Sequence, residues 1–124
     1  MVEERFIEKL TQVSGALEES KGALSLFAVL KMDDLTDKWT VVASASWVTN
    51  ISFDEAFTEV RAKLVEVLQD EMSTIARIGI FNPTDHFAQL LINKYHSGDS
   101  IKEDTQINGN LIHEGYIIKI VSPS

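Results

Sequence analysis

Apolar residues recur at spacings of three and four through the first part of the chain, at Val2, Phe6, Leu10, Val13 and Leu17. Glu3, Glu4, Glu8, Lys9 and Gln12 fill the opposite side. That period predicts an amphipathic first helix, broken by Ser20 and Gly22 within the segment 18–22. The stretch ALSLFAVLKM, 23–32, is then rich in residues suited to a strand. Alternation sets Leu24, Leu26, Ala28 and Leu30 on one face and Ala23, Phe27 and Val29 on the other. A strand apolar on both faces needs cover on both, as in a sheet between helices.

The polar segment DDLTD, 33–37, has the length of a hairpin turn, so a second strand over Trp39 to Val48 is expected to run antiparallel to the first. Its alternation places Trp39, Val41, Ala43, Ala45 and Trp47 on one face and Thr40, Val42, Ser44, Ser46 and Val48 on the other. The first set reads large, small, small, large, which makes a saddle for a crossing helix with an indole closing each end. A second reading makes Trp47 a wall of a ligand pocket or a partner surface.

The second helix is marked by a capping box, Ser52 with Glu55, and by an apolar stripe of Ala56, Phe57, Val60, Leu64, Val67 and Leu68. A third strand over Thr74 to Phe81 follows, and a strand, helix, strand unit of this length predicts a parallel crossover. In NPTDHFAQLLINKY, Asn82 or Thr84 is placed to cap a short third helix, with Pro83 in its first turn, Asp85 near its positive end, and Phe87, Leu90, Leu91 and Tyr95 inward. After a polar loop, 96–104, comes Asn108-Gly109, a hairpin signal. The last strand, GYIIKIV from Gly115 to Val121, is expected beside the third. These elements predict one α/β or α+β domain over 1–124. Its mixed sheet has four to five strands in the order α-β-β-α-β-α-β, with a short hairpin near Asn108.

The pattern W-x-x-V-x-S-A-x-W, met by Trp39, Val42, Ser44, Ala45 and Trp47, resembles one found in short prokaryotic proteins of no assigned activity. The resemblance extends through the following helix and the strand before Asn82. It implies a strand pattern and carries over no catalytic residue.

Charge narrows the range of functions. With 11 basic and 19 acidic residues among 124, the net charge is −8, so neither nucleic acid nor anionic membrane is an expected partner, since both require clustered Lys and Arg. Cysteine is absent, which removes disulfides, thiol nucleophiles and thiolate metal sites and suits the cytoplasm. The start, MVEERFIEKL, is amphipathic and acidic, unlike a signal peptide.

Candidate chemistry follows from geometry. Ligands of open sheets with parallel strands bind outside the carboxyl ends of those strands. The second strand supplies Thr49, Asn50 and Ser52 there, and the third supplies Asn82, Thr84, Asp85 and His86, each group leading into a helix N-terminus that favours anions. His86 is a candidate general base or metal ligand with Asp85 or Asn82 beside it. The ligand-binding candidates are thus Trp47, Asn50, Asn82, Asp85 and His86. The competing reading makes Ser52, Asn82, Thr84 and Asp85 helix caps only. His86, His96 and His113 lack metal-ligand spacing, although His113, Glu114 and Asp99 are a conceivable group. Glycine-rich phosphate loops and a nucleophile elbow are missing, so no catalytic residue, cofactor or metal is assigned. The expected function is a non-catalytic interaction or regulatory module, homodimeric through an edge strand or the first helix. The alternative is a binding protein or enzyme taking an anionic small molecule at the strand ends.

Overall fold

In a computed structural model, residues 4–32 and 38–121 are described; the expected hairpin turn at 33–37 and Val2 lie outside them. The order is α1 (Glu4–Lys21), β1 (Leu26–Met32), β2 (Trp39–Ser44), α2 (Phe53–Leu68), β3 (Ile75–Phe81), α3 (His86–Lys94), β4 (Ser100–Ile101), β5 (Thr105–Ile107) and β6 (Asn110–Ile120). The strands form one mixed α/β sheet in the order β3-β2-β1-β6-β4, with β5 paired to β6. Pairing is antiparallel except between β2 and β3.

Two apolar clusters, one on each face, make three layers. Phe6, Leu10, Val13 and Leu17 of α1 join Ala56, Val60, Leu64 and Leu68 of α2 over Phe27, Val29, Trp39, Val41 and Ala43. On the other face Phe87, Ala88, Leu91 and Ile92 of α3 cover Leu26, Ala28, Leu30, Val42 and Ile117. The helical and strand periods read from the sequence therefore meet side by side in the packing. Leu24 departs from its expected face and joins the first cluster. It precedes the strand, following the turn at Gly22 (φ 124°), so the twofold alternation does not reach it.

The second strand is shorter than expected, ending at Ser44, and 46–50 coil into a 3-10 turn. Hydrogen bonds from Val48 N to Ala45 O (3.2 Å) and from Thr49 Oγ1 to Ser46 O (2.8 Å) close that turn, the local competition that Ser and Thr offer a ladder. Trp47 nevertheless shares the cluster of Trp39, Ala43 and Ala45, as the saddle requires, and its indole N–H donates to Gly22 O at 3.2 Å.

The final strand is corrected more substantially: β6 lies beside β1, not beside the third strand. β1 has five consecutive buried residues, whereas β3 has one, Ile80. Of these two, the strand with more to cover on both faces takes the centre, and the less buried one is left at the edge. Asn108 (φ 51°) and Gly109 (φ 80°) form the expected tight turn joining β5 to β6. An ion pair from Lys119 to Glu18 fastens β6 to the end of α1, and Glu18 also accepts from Leu24 N at 3.0 Å. Burial raises the Glu18 pKa, but the Lys119 ammonium and the Leu24 N–H outweigh it and hold the carboxyl below its usual range.

Candidate functional site

β2 and β3 are parallel neighbours with Ser44 across from Phe81, so the two groups of polar residues expected at their carboxyl ends do follow adjacent strand ends. The chain then leaves on opposite faces, into α2 on one side and α3 on the other. Asn50 is exposed on the 3-10 turn. Ser52 caps α2, its Oγ accepting from Glu55 N at 3.1 Å. Trp47 is 8% exposed and belongs to the core.

Asn82, Asp85 and His86 lie together on the turn into α3, each with a local structure of its own. Asp85, rather than Asn82 or Thr84, is the cap: its Oδ1 accepts from Phe87 N (2.9 Å) and Ala88 N (3.4 Å). Asn82 Oδ1 instead accepts from Thr84 N (3.0 Å) and Thr84 Oγ1 (2.9 Å), tightening the turn before the helix. A side chain two residues from the backbone it bonds makes such a turn, whereas a cap must sit directly before the first helical residue. His86, the first residue of α3, is exposed. Asp85→Ala is expected to lower stability by about 1 kcal/mol, read from the urea midpoint, with His86→Ala within about 0.5 kcal/mol of the parent. A loss at His86 as large as that at Asp85 would show a structural role the fold does not explain.

The largest concavity described lies elsewhere, on the α3 face over β2 and β3, with a volume of about 590 Å³. The in-register pairs Thr40 with Arg77 and Val42 with Gly79 make its floor. Phe81 and Phe87, 5.5 Å apart between centroids and tilted by 45°, make one wall. The β5–β6 hairpin, through Gln106, Asn110 and Leu111, makes the other. The Arg77 guanidinium donates from both Nε and Nη2 to Thr40 Oγ1, each at 3.3 Å, and Nη2 also lies 3.6 Å from Met32 Sδ. Ser44, on the same face and fully buried, has an Oγ without a hydrogen-bond partner.

A smaller hollow of about 420 Å³ lies on the opposite face of β3, bounded by Phe57 and Arg61 of α2, by Met72 and by β3 itself. Both hollows include Arg77 and Ile78. Two phenols, Tyr95 and Tyr116, are pushed up in pKa by burial, with the neighbouring carboxylates Asp99 and Glu114 adding to the rise. Both therefore stay neutral hydrogen-bonding groups.

Sequence reasoning missed the cleft. The available signal was a glycine inside an apolar strand, Gly79 in RIGIF, two positions from a lone arginine on the same face. Among the described residues no group of three His, Asp or Glu side chains could hold a metal ion; His113 instead pairs with Asp104 at 2.8 Å. No helix among them is long and apolar enough to cross a membrane. Comparison with protein-family models, with curated protein sequences and with solved structures gives no match for this chain.

Proposed function

We propose that the protein is a non-catalytic interaction module that works as a homodimer, two copies joining through their β3 strands. What carries this reading is the open edge of the sheet. Among the described residues β3 pairs with β2 on one side and with no strand on the other, which leaves a row of backbone N–H and C=O groups as a template for another strand.

Protein edges are commonly blunted by charge, proline or bulges. IARIGIF has one charge, Arg77, and no proline. Its single irregularity is a register shift near the start, where Trp39 pairs with Ile75 and Thr40 with Arg77, leaving Ala76 unmatched and exposed. Beyond it five residues continue regularly to Phe81. An antiparallel twofold pairing centred on Ile78 sets Arg77 of one copy across from Gly79 of the other, a long side chain opposite an absent one. The hollows on either side of β3 leave room for the side chains that an added strand projects alternately to the two faces.

Sedimentation velocity tests the reading. The expected species has twice the 13.9 kDa mass of the chain, and association tightens with added salt because two bodies of charge −8 repel. Ala76→Lys, which adds a charge at an exposed edge position, is expected to give a folded monomer. A parent protein that stays monomeric at high micromolar concentration overturns the proposal, as does an Ala76→Lys dimer as tight as the parent's.

A further inference from the structure

The turn joining β5 to β6 carries a chemistry of its own. The chain has five asparagines, and the residue after each decides whether the next backbone nitrogen can attack the side-chain amide. That attack closes a five-membered ring, so it needs a backbone N–H and room beside it. Pro83 after Asn82 has no N–H, and Ile51, Lys94 and Leu111 after Asn50, Asn93 and Asn110 set a Cβ against the forming ring. Asn108 alone is followed by glycine.

The fold leaves the same pair open. Asn108 and Gly109 are both exposed, and nothing lies within 4 Å of where a Gly109 Cβ would stand. The Asn108 carbonyl accepts from Asn110 Nδ2 at 3.3 Å, whereas among the described residues no hydrogen bond engages the Asn108 side chain or the Gly109 N–H. The backbone must rotate at Asn108 for the nitrogen to reach Cγ, and little resists it. Asn108 already holds a left-handed φ of 51°, unfavourable for an L-residue, and β5 behind it is three residues long and paired to β6 alone. Elsewhere the fold protects its asparagines better: Asn82 Oδ1 is engaged twice within its own turn, and Asn93 lies inside α3.

We infer that Asn108 is a site of spontaneous deamidation in the folded protein, and that its isoaspartate product loosens the hairpin wall of the cleft. A solvent base takes the Gly109 amide proton, the nitrogen bonds to Asn108 Cγ, the bond from Cγ to Nδ2 breaks, and Nδ2 leaves as ammonia with a proton returned from solvent. One water molecule then opens the succinimide. Opening at Cγ gives aspartate in an unchanged chain, and opening at the backbone carbonyl carbon routes the chain through Cγ, one carbon longer. Aspartate suits the turn, since it tolerates left-handed backbone as asparagine does. Isoaspartate does not. A two-residue loop sets the register of its hairpin, so the longer chain breaks the pairing of Ile107 with Asn110 and frees the wall made by Gln106, Asn110 and Leu111.

The test ages the full chain at neutral and at mildly alkaline pH and maps its peptides by mass, with electron-transfer fragmentation separating aspartate from isoaspartate. Asn108 is expected to convert at least about tenfold faster than any other asparagine, a barrier difference of about 1.4 kcal/mol, faster at the higher pH and with isoaspartate among the products. Asn108→Gln, whose ring would have six members, removes the reaction at this position, and Gly109→Ala slows it. If alanine at φ 80° distorts the turn, the glutamine variant decides. Hydrogen exchange of the isoaspartate form quickens through Thr105–Ile107, whereas Asn108→Asp exchanges like the parent. Conversion of Asn108 no faster than that of Asn93, or conversion in the urea-unfolded chain but not in the folded one, overturns the site. Aspartate as the sole product, or an isoaspartate form with parental exchange in β5, overturns the loosening of the wall.

Discussion

Trp39→Ala is expected to cost about 3–5 kcal/mol of folding stability and to lower the melting temperature by roughly 10–20 °C. The side chain is 5% exposed and sits where three elements meet: its ring centroid is 6.0 Å from that of Phe6 in α1 and 6.0 Å from that of Tyr116 in β6. Lys31 Nζ lies 4.8 Å from the ring centre, so removing the indole deletes a cation–π contact along with the packing. Folded domains are stable by only about 5–15 kcal/mol, and the variant therefore approaches the limit of folding at physiological temperature. Trp39→Phe keeps most of the ring contacts and is expected to lose less than half as much. Urea denaturation of both variants checks this, and a Trp39→Ala loss below about 1.5 kcal/mol would show that the cavity collapses more completely than the surrounding aromatics suggest.

Gly115→Val carries the second large effect, for the opposite reason. Gly115 lies in β6 with Leu30 of β1 on one side and Ile101 of β4 on the other. A Cβ there would stand 2.7 Å from Leu30 Cδ2, 3.2 Å from Ile101 Cδ1 and 3.3 Å from Val29 O. Leu30 is completely buried and Ile101 nearly so, so neither has space to retreat into. Overpacking of this kind costs about 1–3 kcal/mol, and valine, with two further methyl groups, belongs at or above the top of that range. The two-residue β4 has least to hold it, so hydrogen exchange is expected to quicken at Gly98 and Ile117, whose amides bond across that segment to Ile117 O and Asp99 O. Gly15, an exposed glycine inside α1 with nothing within 4 Å of its Cβ position, is the natural control. Gly15→Ala is expected to stabilise by about 0.5–1 kcal/mol.

The helices were legible because each has one apolar stripe: Phe6, Leu10, Val13 and Leu17 stand on α1 where their spacing puts them. The two-sided burial of β1 was legible for the same reason, apolar residues at both parities. Strand order was not, because alternation states which face a residue occupies and is silent about which strand lies alongside; β6 could be assigned to the sheet but not to β1. The end of β2 was hidden by hydroxyls, since Ser46 and Thr49 fit an alternating strand and a 3-10 turn equally well. Within the candidate site the cap at Asp85 was half legible, displaced by one to three positions from Thr84 and Asn82. The cleft left only an indirect mark in the sequence, Gly79 inside an apolar strand. It arises from where α3 and the β5–β6 hairpin come to rest on the sheet, a consequence of the crossing that no local spacing encodes.

The pairing of β1 with β6 also bears on how the chain is made. The two strands begin at Leu26 and Asn110, and a ribosome adding about 5–20 residues per second takes on the order of 4–17 seconds to travel between them. For that interval the most apolar strand of the molecule has one hydrogen-bonding edge without its native neighbour. The same edge is the place where a nascent chain on a neighbouring ribosome can dock in error. Synthesis order thus turns the strand that anchors the finished sheet into its point of greatest exposure to misassembly.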